Sequence, residues 1–153
     1  KYQGTAGGYE LPPTSYVKPS EMVDLTDAID FAIDGDIYVL KDDGSIVRLR
    51  GGRILPFKVK GLDGDRIKAE QIFTEVDTDS LYLVDPTRKR IIEIDKRDDS
   101  EGAFVRQFKF AGSDDFFADI NGIWVSEIDG KMIVLGKTSI RQFVLPKILD
   151  RST

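Results

Sequence analysis

Histidine and cysteine are both missing from this chain, and the two absences remove more chemistry than any feature present adds. Without histidine there is no Ser-His-Asp or Cys-His arrangement, no imidazole acid or base and no histidine-held metal. Without cysteine there is no disulfide framework, no thiolate nucleophile and no Cys-ligated zinc. That leaves the compartment open, since secreted proteins can do without disulfides. No apolar run approaches the roughly 18 residues that a membrane-spanning helix needs. Lys1-Tyr2-Gln3-Gly4 lacks the apolar stretch of a signal peptide. Glycine-rich phosphate loops and the GxSxG elbow are absent as well. A start at Lys rather than Met points to a piece of a larger protein, whose anchor or partner domain would lie upstream.

A broad basic face is the next thing lacking. Against 27 acidic residues stand 22 Lys and Arg, a net charge of −5, which argues against a nucleic-acid partner. Short basic clusters such as Arg88-Lys89-Arg90 are offset by nearby acids, here Asp85, Glu93 and Asp95, and this one reads as a solvated hairpin turn rather than a phosphate or acidic-partner contact. What remains is ordinary for a folded domain: 153 residues, 41% apolar and 32% charged, enough to bury a sizeable core.

The chain does contain a repeat. Ile37-Tyr38-Val39-Leu40, Leu81-Tyr82-Leu83-Val84 and Met132-Ile133-Val134-Leu135 recur at steps of 44 and 51 residues, each after an acidic or glycine-containing turn. Repeats of roughly 40–50 residues built from short strands predict β-propeller blades of about four strands each. In the first unit the strands read Ala28–Ile33, Ile37–Leu40, Ile46–Leu49 and 54–59, with Asp42-Asp43-Gly44 as a tight hairpin. The second reads 72–76, Leu81–Val84, Arg90–Asp95 and 104–110. The third reads 120–125, Met132–Leu135 and 140–145, with no fourth strand. The expected fold class is all-β: about three four-stranded antiparallel blades, a half-propeller with an incomplete last blade. Expected boundaries are 23–62, 63–112 and 113–150, after an irregular segment 1–22 that is the tail of a preceding unit. Helical periodicity is absent throughout.

Carboxylates are the only remaining candidates for chemistry. Asp34/Asp36, Asp42/Asp43, Asp63/Asp65, Asp77/Asp79 and Asp114/Asp115 could bind Ca²⁺ or act as glycosidase acids, but none fits an EF-hand spacing. Each pair falls at a turn, where an Asp side chain caps local N–H groups, and turn chemistry is the expectation. Asp27 and Asp119 match in register and read as blade-corner caps. Leu25, Ile67 and Phe117 occupy matching places before the first strand of each unit. Phe117 is therefore expected in inter-blade packing rather than in an exposed Phe116-Phe117 pair, and Trp124 in the core rather than at a stacking site.

The strings AIDFAIDGDIYVLKDDGSIVRL from Ala28, LYLVDPTRKRIIEIDK from Leu81 and FVRQF from Phe104 resemble NHL-type six-bladed propellers. The resemblance is strongest to propeller regions of large bacterial proteins, some of which carry an upstream phosphatase-like domain and a membrane segment. It implies binding of proteins, RNA or small ligands, and an extracytoplasmic setting. Enzymes of that type use metal and histidine sites that this chain lacks. The function expected is thus a non-catalytic binding or assembly module with no cofactor, no metal and no catalytic residue, completing a ring by self-association or with a second half-propeller. The alternative is a fragment of a carboxylate-dependent hydrolase or lyase.

Overall fold

A computed structural model describes residues 12–62, 67–99, 102–112 and 115–148. Turn chemistry sets the strand spacing. Asp43 accepts hydrogen bonds from both the backbone N–H and the hydroxyl of Ser45, closing the turn around Gly44. Gly44 sits at φ +84°, where a Cβ would lie 2.6 Å from the Ile67 carbonyl oxygen. The turn thereby joins β2 (Ile37–Lys41) to β3 (Ile46–Arg50). With β1 (Ala28–Ile33) and β4 (Arg53–Leu55) they form an antiparallel meander in the order β1-β2-β3-β4.

The second sheet repeats the plan with β5 (Gln71–Phe73), β6 (Ser80–Asp85), β7 (Arg90–Asp95) and β8 (Phe104–Lys109). The third has only β9 (Gly122–Ser126), β10 (Lys131–Leu135) and β11 (Ile140–Val144), again sequential and antiparallel. The inner strands lie side by side, β1 against β5 and β5 against β9. The described residues form a partial β-propeller of three blades, the last one without an outer strand among them.

Two cores sit between the blades. Ala32, Tyr38, Leu40 and Ile46 of the first blade meet Ile72, Leu81, Leu83, Ile92 and Ile94 of the second. Tyr82, Val84 and Ile91, on the opposite face of that second blade, meet Phe117, Val125, Met132 and Val134. The middle blade is covered on both faces, so every residue of β6 and β7 is buried. That is why these strands read as nearly continuous apolar runs rather than as alternating ones.

The structure corrects several expectations. The fourth strand of the first blade ends at Leu55 instead of running through 59, because Pro56 has no N–H to give the ladder. The chain then crosses to the second blade, where Lys60 pairs in parallel with Ala103. There Gly102, at φ +80°, lets the two backbones close: a Cβ on it would fall 1.9 Å from the Lys58 carbonyl oxygen. β5 stops at Phe73, since the Thr74 hydroxyl turns to the Ser80 carbonyl. A short 3₁₀ turn at Phe116–Ala118 breaks the all-strand pattern, and both of its phenylalanines are buried. Leu25, aligned with buried Ile67 and Phe117, is itself 37% exposed, since among the described residues no blade packs on that side of its own. Trp124, expected in the core, stands on an open sheet face.

Candidate functional site

The register gives each blade two chemically different faces. Tyr38 lies opposite Arg48, Tyr82 opposite Glu93, and Ile133 opposite Gln142. Side chains alternate along a strand, so these residues mark the face that each blade turns toward its successor. In the first two blades that face is buried. In the third it carries Trp124, Ile133, Leu135, Ile140 and Val144, of which Trp124, Ile140 and Val144 are 38%, 70% and 82% exposed. At the other end of the arc, Phe31 and Ile33 of the first blade stand 60% and 54% exposed on the face turned away from the second. Val39, the register partner of Phe31, and Leu49, which lies across Ile37 from Ile33, are buried beside them. Both ends of the arc are therefore apolar sheet faces with part of their surface in water.

Polar tethers pin the two closed seams. Lys96, at the end of β7, crosses to Asp34 of the first blade at 2.5 Å and also donates to the Thr74 hydroxyl and the Glu75 carbonyl. Arg48 reaches Asp36 at 2.7 Å within its own blade and Asp98 of the second at 3.2 Å. Arg50 adds a second guanidinium on Asp36, also at 2.7 Å. Burial pushes the Asp36 carboxyl up, but hydrogen bonds from Arg50 and Arg48 outweigh it and hold the group below its ordinary value. Burial likewise raises the Tyr38 phenol, and the Asp34 charge adds to the effect.

The second seam uses Glu127, which accepts from the Tyr82 hydroxyl and the Asp79 N–H, both at 2.8 Å. Arg106 binds buried Glu93 at 2.7 Å and donates to the Pro146 carbonyl of the third blade. Nearer the hub, Asp30 accepts from the Ile72 N–H and Gln71 donates to the Ile120 carbonyl. Each of these links one blade's inner strand to the backbone of the next blade.

These networks dispose of most carboxylate candidates. Asp42 and Asp43 form a turn, as expected. Asp34 caps the Asp36 N–H, but with Asp36 it also belongs to the ion-pair network of the first seam, beyond plain turn chemistry. Asp79 serves through its backbone N–H and carbonyl. Asp27 likewise engages through its carbonyl, which accepts the Asp42 N–H, and the Asp119 N–H closes the 3₁₀ turn. Asp63, Asp65 and Asp114 lie outside the described residues. Among the described residues, no group of three or more metal-type ligands converges. The basic cluster is only partly a solvated turn. Lys89 bonds Asp115 at 2.5 Å, while Arg90 is buried against Asp85.

Sequence reasoning missed Arg48 and Glu93 as seam residues. Their signal was present as a charged residue opposite each repeat tyrosine.

No family model and no curated protein matches the chain. Solved structures do. Hydrazine synthase from Kuenenia stuttgartiensis is similar over 85% of this chain and 36% of its own, at 13% identity and a TM-score of 0.54. KlHsv2 with loop 6CD replaced by a Gly-Ser linker is similar over 78% and 36%, at 12% identity and a TM-score of 0.48. The chain spans just over a third of the length of each. At 13% identity the likeness to hydrazine synthase is one of fold alone, in keeping with the propeller-type blades described above.

Proposed function

We propose that the chain is a non-catalytic binding and assembly module whose two end faces take blade-like units, a second copy of the chain or further blades, so that a ring closes. One observation carries this reading. The residues exposed at each end occupy the same register positions as residues buried in the internal seams. Leu135 is the counterpart of Leu40 and Val84, yet it is 44% exposed where they are fully buried. Three blades are also fewer than the four or so that a closed propeller contains. Apolar sheet faces left in water favour association. The chemistry available supports binding over catalysis, since every carboxylate pair inside the described residues serves a turn, an ion pair or a backbone contact.

Sedimentation velocity tests the proposal. Isolated chains at tens of micromolar are expected to sediment well above 17.2 kDa. Ile33→Lys or Ile140→Lys, each placing a charge in one end face, should return them to monomer. A wild-type chain that stays monomeric across that range overturns the reading.

A further inference from the structure

The third blade carries a second docking feature, distinct from its open face. Alternation along the β10–β11 ladder can be read from its ends: the Leu145 N–H bonds the Gly130 carbonyl, and the Gly136 N–H bonds the Ser139 carbonyl. With the pairing running from Lys131↔Val144 to Leu135↔Ile140, Arg141 and Phe143 turn their backbone groups toward β10. Ile140, Gln142 and Val144 therefore point theirs outward, along an edge that no described strand covers. In the other two blades the corresponding edge is occupied, β3 by β4 and β7 by β8.

Beside this edge lies a groove of about 260 Å³ between the outer strands of the second and third blades, lined by Phe108, Phe117, Met132, Phe143, Val144 and Pro146. In the neighbouring seam a side chain of the outer strand fills the equivalent place. There, β8 lays Phe104 opposite Ile94 and against the core. Phe143 is the register counterpart of Ile94, so the groove lies where the matching side chain of an outer strand would go.

We propose that this edge and groove bind an extended peptide strand in trans, antiparallel to β11, with apolar side chains at alternate positions. The outward N–H and C=O groups of Ile140, Gln142 and Val144 supply the ladder, and one face of the incoming strand fills the groove. The occupant is specified by two features of the molecule. The antiparallel outer strands β4 and β8 fix its direction, and the apolar lining, with Lys109 at its rim, fixes its alternation of apolar and polar residues. A bound strand would also remove an exposed edge of the kind that drives uncontrolled pairing.

The probe is a synthetic peptide with the sequence of residues 103–111, AFVRQFKFA, which contains the chain's own β8. Titrated into the full chain and followed by NMR, it should shift and protect the amides of Ile140, Gln142 and Val144. A dissociation constant on the order of 10 µM is expected. Replacing the peptide's first phenylalanine by aspartate should weaken binding about 30-fold, the loss of one buried aromatic anchor. Methylating the peptide's backbone nitrogens on its pairing edge should abolish binding while leaving every side chain in place.

On the protein, Gln142→Pro removes an outward N–H and leaves the β10 ladder intact. It should keep the native spectrum and lose the peptide. Three results would overturn the proposal: no amide shift at about 1 mM peptide, equal binding by the N-methylated peptide, or protection of the β11 edge by self-pairing in the absence of peptide. None of them bears on the end faces, whose association is read separately by sedimentation.

Discussion

Phe117→Ala should destabilise the chain severely, whereas Phe31→Ala in the same protein should barely register below the concentration of self-association. The two phenylalanines are chemically identical and sit in opposite surroundings, 3% and 60% exposed. Phe117 packs its ring against Phe110, Phe116 and Phe143 at centroid distances of 5.9, 6.1 and 5.6 Å. Truncating it removes the transfer free energy of a buried ring and leaves a cavity that its rigid neighbours cannot collapse, together about 3–5 kcal/mol. Loss of the edge-to-face and tilted ring contacts falls within that figure. Set against a total stability of roughly 5–15 kcal/mol for a domain of this size, the change removes much of the margin. With a urea slope of about 2 kcal/mol/M, the unfolding midpoint should fall by about 2 M. Phe31, already mostly in water, should move it by no more than about 0.3 M. The assay is urea denaturation of both variants at sub-micromolar protein, followed by circular dichroism. A shift under about 0.5 M for Phe117→Ala would mean that the second seam is not packed as described.

Two further perturbations probe the polar tethers. Lys96→Met leaves the Asp34 carboxylate, 13% exposed, without the ammonium that crosses the first seam. Removing one partner of a buried pair costs about 3–5 kcal/mol, and Lys96→Met with Asp34→Leu should recover most of it, as double-mutant denaturation would reveal. Asp36 sets a pH dependence. Its carboxyl is held below the ordinary value of 3.8, so the stability it contributes is present above about pH 4 and is lost as pH falls through the lowered value. Thermal melts between pH 5 and about 2.5 should show a shallower decline for Asp36→Asn than for wild type. An unchanged slope would remove Asp36 from the acid-sensitive groups.

The strands were legible where turns and β-branched runs agree. Ala28–Ile33 and Arg90–Asp95 match the structure end for end. Legibility failed where a strand end depends on what lies across a seam. Pro56 and Thr74 each stop a strand that apolar content alone would have carried further, one by lacking a donor and the other by turning its hydroxyl inward. The missing outer strand of the third blade was legible, because the apolar run after Val144 ends at Pro146. The end faces were legible only in outline: three repeats imply uncovered ends, but Trp124 looked like core because a strand tryptophan usually is. The seam networks were the least visible. Alternation tells which residues share a face, but not that both faces of the middle blade are covered, so nothing in the pattern placed Arg48 and Glu93 in a seam.

Trp124 is the chain's single tryptophan and stands on the open face of the third blade, so its fluorescence reports directly on whether that face acquires a cover. Acrylamide quenching measured from nanomolar to about 100 µM protein should fall as concentration rises, with a blue shift in emission, as blade-on-blade association buries the ring. Quenching that stays high at every concentration, with emission unchanged, would contradict the account.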